Sequence, residues 1–383
     1  MKNVSFLLIL IATAAIVSCK KKGCTDETAS NYSEEAKKDD GSCTYPELAI
    51  PSTYNFTDDA GNNTVSYGGQ EERLNQLEEM TTYMKSGTAA TLNAAILTAM
   101  FENTDDNASG NFTFASTKQL KNKCFASDVT RFEGYLTALA LASEDHSEIA
   151  SSGQAGVLSS GTSTYLFAAN GIEYAQLIEK GLMGAVFLNQ ALNVYFGADK
   201  MNVDNSTAVN TGEGKFYTEM EHHWDEAFGY FGAPIDFPTN TDNLRFWAKY
   251  YDIQSAELNP SLVITNAFLK GRAAISQGFE LSIRDEQIKN IREEWERLSA
   301  AQAVNYLEKA KENFGSDNAK FLHELSEAYA FILCLKYVPL ETRTIDYADI
   351  ETILDDIITT DFWTVTISDL NVSITLLNDT YGF

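Results

Sequence analysis

The stretch Ser282–Gly315, SIRDEQIKNIREEWERLSAAQAVNYLEKAKENFG, decides the fold class. Its apolar residues Ile283, Ile288, Ile291, Trp295, Leu298, Ala301, Val304 and Leu307 recur mostly three and four apart, the period of one face of an α-helix. Gly315 is placed to end that helix in a left-handed cap. Shorter stretches repeat the pattern on both sides. Toward the N-terminus, Leu74, Leu77, Met80 and Tyr83 mark one helical face, and Leu92 to Met100 another. Ser127-Asp128 reads as a cap before Val129, Phe132, Leu136 and Leu139. Residues 147–163 are rich in Ser and Gly and read as a surface loop, followed by a long helix from Thr164 to about Phe196. Further helices are predicted over 214–231, 244–253, 261–275 behind Pro260, 317–338 before Pro339, 350–358 and 367–377. No stretch alternates with period two for long enough to predict a sheet. The expected fold is all-α, in two helical-bundle halves packed together, 70–240 and 241–383. Pro234 and Pro238 break the chain between them. Gly171, Ala175, Gly181, Gly184 and Ala185 are small enough to let helices approach closely.

Before the helices lie segments of a different kind. Residues 1–18 read as a signal peptide: Lys2 is charged, and Phe6–Val17 is apolar but shorter than the roughly 20 residues a bilayer span needs. The run ends in Ala15-Ile16-Val17-Ser18-Cys19, which resembles a bacterial lipobox. That resemblance implies cleavage before Cys19 and its lipidation, with the membrane as a partner. Residues 19–45 then form the anchor and a small module, and 46–69, with Pro46, Pro51 and Gly68-Gly69, a linker. Cys24 and Cys43 flank a short polar segment and are expected to close a disulfide in an oxidising compartment. The segment Cys24-Thr25-Asp26 … Asp39-Asp40-Gly41-Ser42-Cys43 resembles a module of secreted Gram-negative surface proteins. Asp26, Asp39 and Asp40 lack the Asp-x-Asp-x-Asp spacing of a calcium loop, so a stapled spacer is preferred to a Ca²⁺ site. Cys124 and Cys334 lie among apolar neighbours, as buried thiols or as a long-range bridge.

With 28 Lys and Arg against 54 Asp and Glu, the chain carries a formal charge of −26. Such a field repels nucleic acid and does not attract anionic surfaces. It favours cations only generically.

The chemistry concentrates at Glu221-His222-His223-Trp224-Asp225-Glu226, which holds two of the four histidines in the chain. Residues three and four apart share a helix face, so His223 lies beside Glu226, and His222 beside Asp225 and Glu226. His323 and Glu327 repeat the spacing on a later helix. Imidazole with carboxylate suits zinc, iron or copper. Buried imidazoles and acids also pair simply to satisfy one another. The six residues are therefore either a metal site drawn from two helices or hydrogen-bonded plugs in the core. No His-Glu-x-x-His, Gly-x-Ser-x-Gly or phosphate-cradling glycine loop appears. The balance is against an enzyme.

In an all-helical, lipobox-bearing chain, His223-Trp224-Asp225-Glu226 is similar to the His-x-x-Glu motif of imelysin-like proteins. One departure is Glu221, where that motif has glycine. The strings Lys180-Gly181-Leu182-Met183-Gly184-Ala185-Val186-Phe187 and Phe268-Leu269-Lys270-Gly271-Arg272, together with Glu221–Gly232, resemble a bacterial lipoprotein domain of unknown function. The resemblance implies paired helical bundles and a link to iron uptake. The expectation is a lipid-anchored binding protein of a Gram-negative envelope, at the outer membrane, associated with iron or zinc through His223 and Glu226. The alternative is an interaction scaffold with an envelope protein partner, in which the histidines are structural. A peptidase ranks below both.

Overall fold

A computed structural model describes residues 20–258 and 263–383, the side chains of 255–258 excepted. The signal peptide, Cys19 and Pro260 lie outside the described residues. The chain divides into two compact units, Met1–Ala49 and Ile50–Phe383.

In the first unit Cys24 and Cys43 form the disulfide. Its acids serve the backbone. Asp26 accepts from the Thr28 amide and hydroxyl and from the Tyr45 hydroxyl, Asp39 from the Gly41 amide, and Asp40 from the Ser42 amide. These are side-chain turns that fold a segment too small to have a core.

The described residues of the second unit include twelve α-helices: α1 Gly68–Lys85, α2 Ala94–Glu102, α3 Val129–Ser143, α4 Tyr174–Leu182, α5 Ala198–Met201, α6 Glu219–Phe231, α7 Phe246–Leu258, α8 Val263–Ser276, α9 Leu281–Asn313, α10 Asn318–Leu335, α11 Tyr347–Glu351 and α12 Ile367–Tyr381. The quoted stretch is α9, about 50 Å long at 1.5 Å per residue. Its predicted face, Ile288, Ile291, Trp295, Leu298 and Leu307, is buried, packed chiefly against α8 and α10. α4 also packs on α10, and α6 on α8, so elements from both sides of residue 240 share contacts. Among the described residues no helix is long and apolar enough to cross a membrane.

Three local predictions are corrected. Residues expected as loop and helix start form an antiparallel hairpin, β1 Gly156–Ser160 and β2 Ser163–Phe167, which turns at Gly161 in the left-handed region. The helix predicted from Thr164 therefore starts at Tyr174, and it runs on in π-helical form through Tyr195. The helix predicted from about 214 starts at Glu219, because β3 Ala208–Asn210 and β4 Lys215–Thr218 pair first. Asp128 does not cap α3 with its side chain; it accepts from the Tyr337 hydroxyl at 2.6 Å and the Lys336 ammonium at 3.1 Å.

The small residues work as expected. A Cβ at Gly184 would lie 2.5 Å from Cys334 Sγ, so that glycine sets the closeness of the α4 continuation to α10. Cys124 and Cys334 are buried free thiols.

Candidate binding site

The histidine motif sits on α6, which opens with a reciprocal cap. Thr218 Oγ1 accepts from the Glu221 amide at 3.2 Å, and Glu221 Oε2 accepts from the Thr218 amide at 2.9 Å. Glu221 is therefore the third residue of this helix and the reciprocal partner of its Thr218 cap. Its other oxygen reaches into the core, accepting from Arg272 Nη1 at 2.7 Å and Ser276 Oγ at 2.8 Å.

Arg272, fully buried on α8, organises this region. Its Nε donates to Asp225 Oδ1 at 2.8 Å, and Nη2 donates to the Thr64 carbonyl at 3.0 Å and hydroxyl at 3.1 Å. Asp225 also accepts from the Tyr54 hydroxyl at 2.8 Å and the Ser66 amide at 3.1 Å. Burial pushes its carboxyl above the ordinary range, opposed first by Arg272. Asp225 was expected beside His222 as a ligand. It instead faces inward and is completely buried, its oxygens taken up by Arg272, Tyr54 and Ser66.

The other three motif residues do meet. His223 Nδ1 donates to Glu226 Oε2 at 3.0 Å, and Gln70 on α1 donates to Glu226 Oε1 at 3.0 Å. Burial raises the Glu226 pKa, but His223, His222 and Gln70 outweigh it, and the carboxyl stays below its usual range. His222 donates from Nδ1 to the Ser66 carbonyl at 2.9 Å and stacks on Tyr217. His222 Nε2 lies 3.9 Å from Glu226 Oε1. His223 Nε2 is buried without a hydrogen-bond partner, with the Glu219 carboxylate 3.8 Å away. Among the described residues no group of three or more His, Cys, Asp and Glu is arranged to hold a metal ion.

His323 and Glu327, on α10, have different company. His323 Nδ1 donates to Glu173 at 2.6 Å, its ring stacks on Tyr165 of β2, and its Nε2 lies 3.9 Å from Glu327. Burial opposes protonation of this imidazole, but Glu173 and Glu327 outweigh it and raise its pKa above the ordinary 6.5. Glu327 is 3.5 Å from the ammonium of Lys180, which is also 3.1 Å from Glu179 and lies over the Tyr250 ring. The Lys180 ammonium is buried, yet Glu179, Tyr250 and Glu327 keep it charged well above the ordinary lysine range.

This second set lines open volume. A cavity of about 560 Å³ is walled by Lys180, Glu179, Tyr250, Tyr306, His323 and Glu327, among others. A second, of about 300 Å³, lies on the Tyr165 and Glu173 side and shares Lys85, Gln176 and His323 with it. His222, His223 and Glu226 line none of five cavities among the described residues. The six residues read from the sequence thus fall into two sets with separate partners, and Asp225 belongs to the core.

Sequence reading missed Arg272, Lys180 and Glu173. Arg272 and Lys180 had a signal: each stands in a largely apolar helical run, Phe268–Ile275 (with Lys270) and Leu177–Leu188 (with Glu179), and a buried cation demands acids. Glu173 had none, because its partner is 150 positions away.

Neither a curated protein nor a solved structure matches the chain. A family model does, over residues 51–383, which is nearly all of the helical unit. The chain belongs to the family described as Domain of unknown function (DUF4856).

Proposed function

We propose that this chain is a lipid-anchored binding protein of a Gram-negative cell envelope, at the outer membrane, and that it holds a small ligand in the cavity over Lys180 and His323. The observation that carries this reading is a cavity of about 560 Å³, within the roughly 300–1,000 Å³ usual for ligand sites, walled by charged side chains fixed on α4 and α10. On this reading the α6 motif is structural: Arg272, Glu221 and Asp225 lock α6 to α8, and His223 and Glu226 satisfy each other. Lys180 and Glu327 come from opposite sides of residue 240, which supports a site where the two halves of the chain meet.

Two measurements test it. Metabolic labelling with an alkyne fatty acid should mark the protein and fail in Cys19→Ser. A small-molecule panel read by thermal shift should contain compounds that raise the melting temperature of the native protein and not of Tyr306→Ala. An unlabelled protein, or a panel with no such compound, would sink the respective half.

A second reading is favoured by one atom. His223 Nε2 is buried and lacks a donor, and Glu219 stands near it, so an iron or zinc ion linked to metal uptake has a nitrogen to start from. Metal analysis of untagged protein after iron or zinc loading, with His223→Ala as control, decides it. Absence of stoichiometric metal removes this reading and leaves the cavity reading standing.

A further inference from the structure

The ligand chemistry follows from what the cavity walls leave unspent, and the argument rests on the cavity reading above. Most of the charged groups in the wall already have partners. Arg245 holds Glu78 through two bonds of 2.7 and 2.8 Å, Lys180 holds Glu179 and Glu327, and His323 holds Glu173. Two kinds of group remain.

The first kind is acceptors. Gln176 lines both cavities and is 4% exposed, and its Oε1 has no hydrogen-bond partner. Its amide nitrogen is 3.5 Å from Glu173 Oε1, which fixes the carbonyl on the other side. Glu324 Oε2 is likewise buried without a hydrogen-bond partner in the wall of the larger cavity, as is Glu179 Oε2, which has only the Lys85 ammonium at 3.5 Å. A buried acceptor left unpaired is destabilising, so three beside one cavity call for a donor-rich guest. The second kind is cations. Lys249 is exposed and has no acidic partner among the described residues, and Lys309 lies over the Tyr306 ring, 4.9 Å from its centroid.

A guest matching both must carry several N–H donors and an anionic group within the span of one cavity. We infer that the cavity binds short peptides, with the free amino terminus taken by the Gln176, Glu179 and Glu324 side and the carboxylate by Lys249 and Lys309. The pairing excludes the extremes of charge. A polyamine would leave the lysines repelled, and a simple polyanion would leave the three acceptors unmet. The smaller cavity has Met84, Leu166, Ala175 and Tyr165 in its wall, room for an apolar side chain of such a peptide. Together the two volumes suit two to four residues.

The experiment is equilibrium dialysis of the full chain against a mixed tripeptide pool, read by mass spectrometry. Parallel chambers hold the same pool N-acetylated, and spermidine with glucuronate. Free tripeptides should be retained. Acetylation should weaken retention by at least about tenfold, as loss of one charge-assisted hydrogen bond does. Glu324→Gln and Lys249→Ala should each weaken it about tenfold. Lys249 is exposed, so that variant tests the inference even where Glu324→Gln fails to fold. Equal retention of free and acetylated pools overturns the peptide assignment. So does retention of spermidine or glucuronate alone, which would leave the cavity reading intact. Retention of nothing in any chamber overturns both.

Discussion

Replacing Arg272 by Met tests the claim that the histidine helix is held by an ion cluster and not by a ligand. The substitution keeps most of the apolar length of the side chain and removes its charge. It deletes the bonds to Asp225, Glu221, Ser276 and Thr64, and leaves two carboxylates in the core without a cation. Removing one partner of a buried ion pair costs about 3–5 kcal/mol. Here the lower end applies: Asp225 keeps the Tyr54 and Ser66 donors, and Glu221 keeps the Thr218 amide and Ser276. The expected loss at pH 8 is therefore about 3 kcal/mol, out of a typical total of 5–15.

The pH dependence supplies an independent check. Burial already raises the Asp225 pKa, and Arg272 is the largest opposing influence. Without Arg272 the folded-state pKa rises further above the unfolded value, so the folded state binds the proton more tightly than the unfolded state. Stability of the variant then increases as pH falls, and its deficit against wild type shrinks between pH 8 and pH 5. Urea denaturation followed by far-ultraviolet circular dichroism at both pH values measures this. A deficit under about 1 kcal/mol, or one that grows toward acid, would refute the ion-cluster account.

Gly271→Ala should destabilise by about 1–3 kcal/mol in a thermal melt, because its Cβ would fall 2.2 Å from the ring of the fully buried Trp224; an unchanged melt contradicts that packing. His323 has a folded-state pKa above 6.5, set against burial by Glu173, Glu327 and Glu324, with Tyr165 stacked on its ring. Its stabilisation is thus complete below pH 6.5 and is lost as pH rises through the raised value. The stability advantage of wild type over His323→Gln should decline across that window, and a flat difference counts against the Glu173 pairing. Cys24→Ser should loosen the N-terminal module, since a loop of that size is stabilised by about 3 kcal/mol through its bridge. Limited proteolysis should then cut between residues 24 and 43 in the variant first, and equal resistance would show that the turns at Asp26, Asp39 and Asp40 suffice.

The helices were readable because burial on one face leaves a period in the sequence. Leu281–Asn313, Asn318–Leu335 and Ile367–Tyr381 lie within a few residues of where their apolar spacing and caps put them. Asp317 does cap its helix, accepting from the Lys320 amide at 3.1 Å. The hairpins were missed because five-residue strands with mixed burial show no sustained alternation; Gly156–Ser160 is mostly half-exposed. For the histidines, sequence gave the pairs made within one helix and nothing beyond. His223 with Glu226 follows from spacing alone, whereas Asp225 was assigned to the wrong neighbour, because its true partner arrives from another helix 47 residues later.

The two imidazole–carboxylate sets look alike in sequence, and only their surroundings separate a plug from a site. On α6 the acids are consumed: Arg272 takes Glu221 and Asp225, and Gln70 and His223 take Glu226. On α10 the partners are Lys180 of α4 and Glu173 just before it, and both residues also line open volume. On the neighbouring face Gly184 brings the same two segments into contact against Cys334. The larger cavity lies beside the Lys180–Glu327 pair and takes further walls from α7 and α9. Filling it with an apolar core would require removing Lys180 together with Glu327, and Lys180→Met with Glu327→Leu should be tolerated better than either change alone, since each single change strands a buried charge. Denaturation of the two singles and the double measures the coupling, and strictly additive losses would show that the two buried charges do not depend on each other.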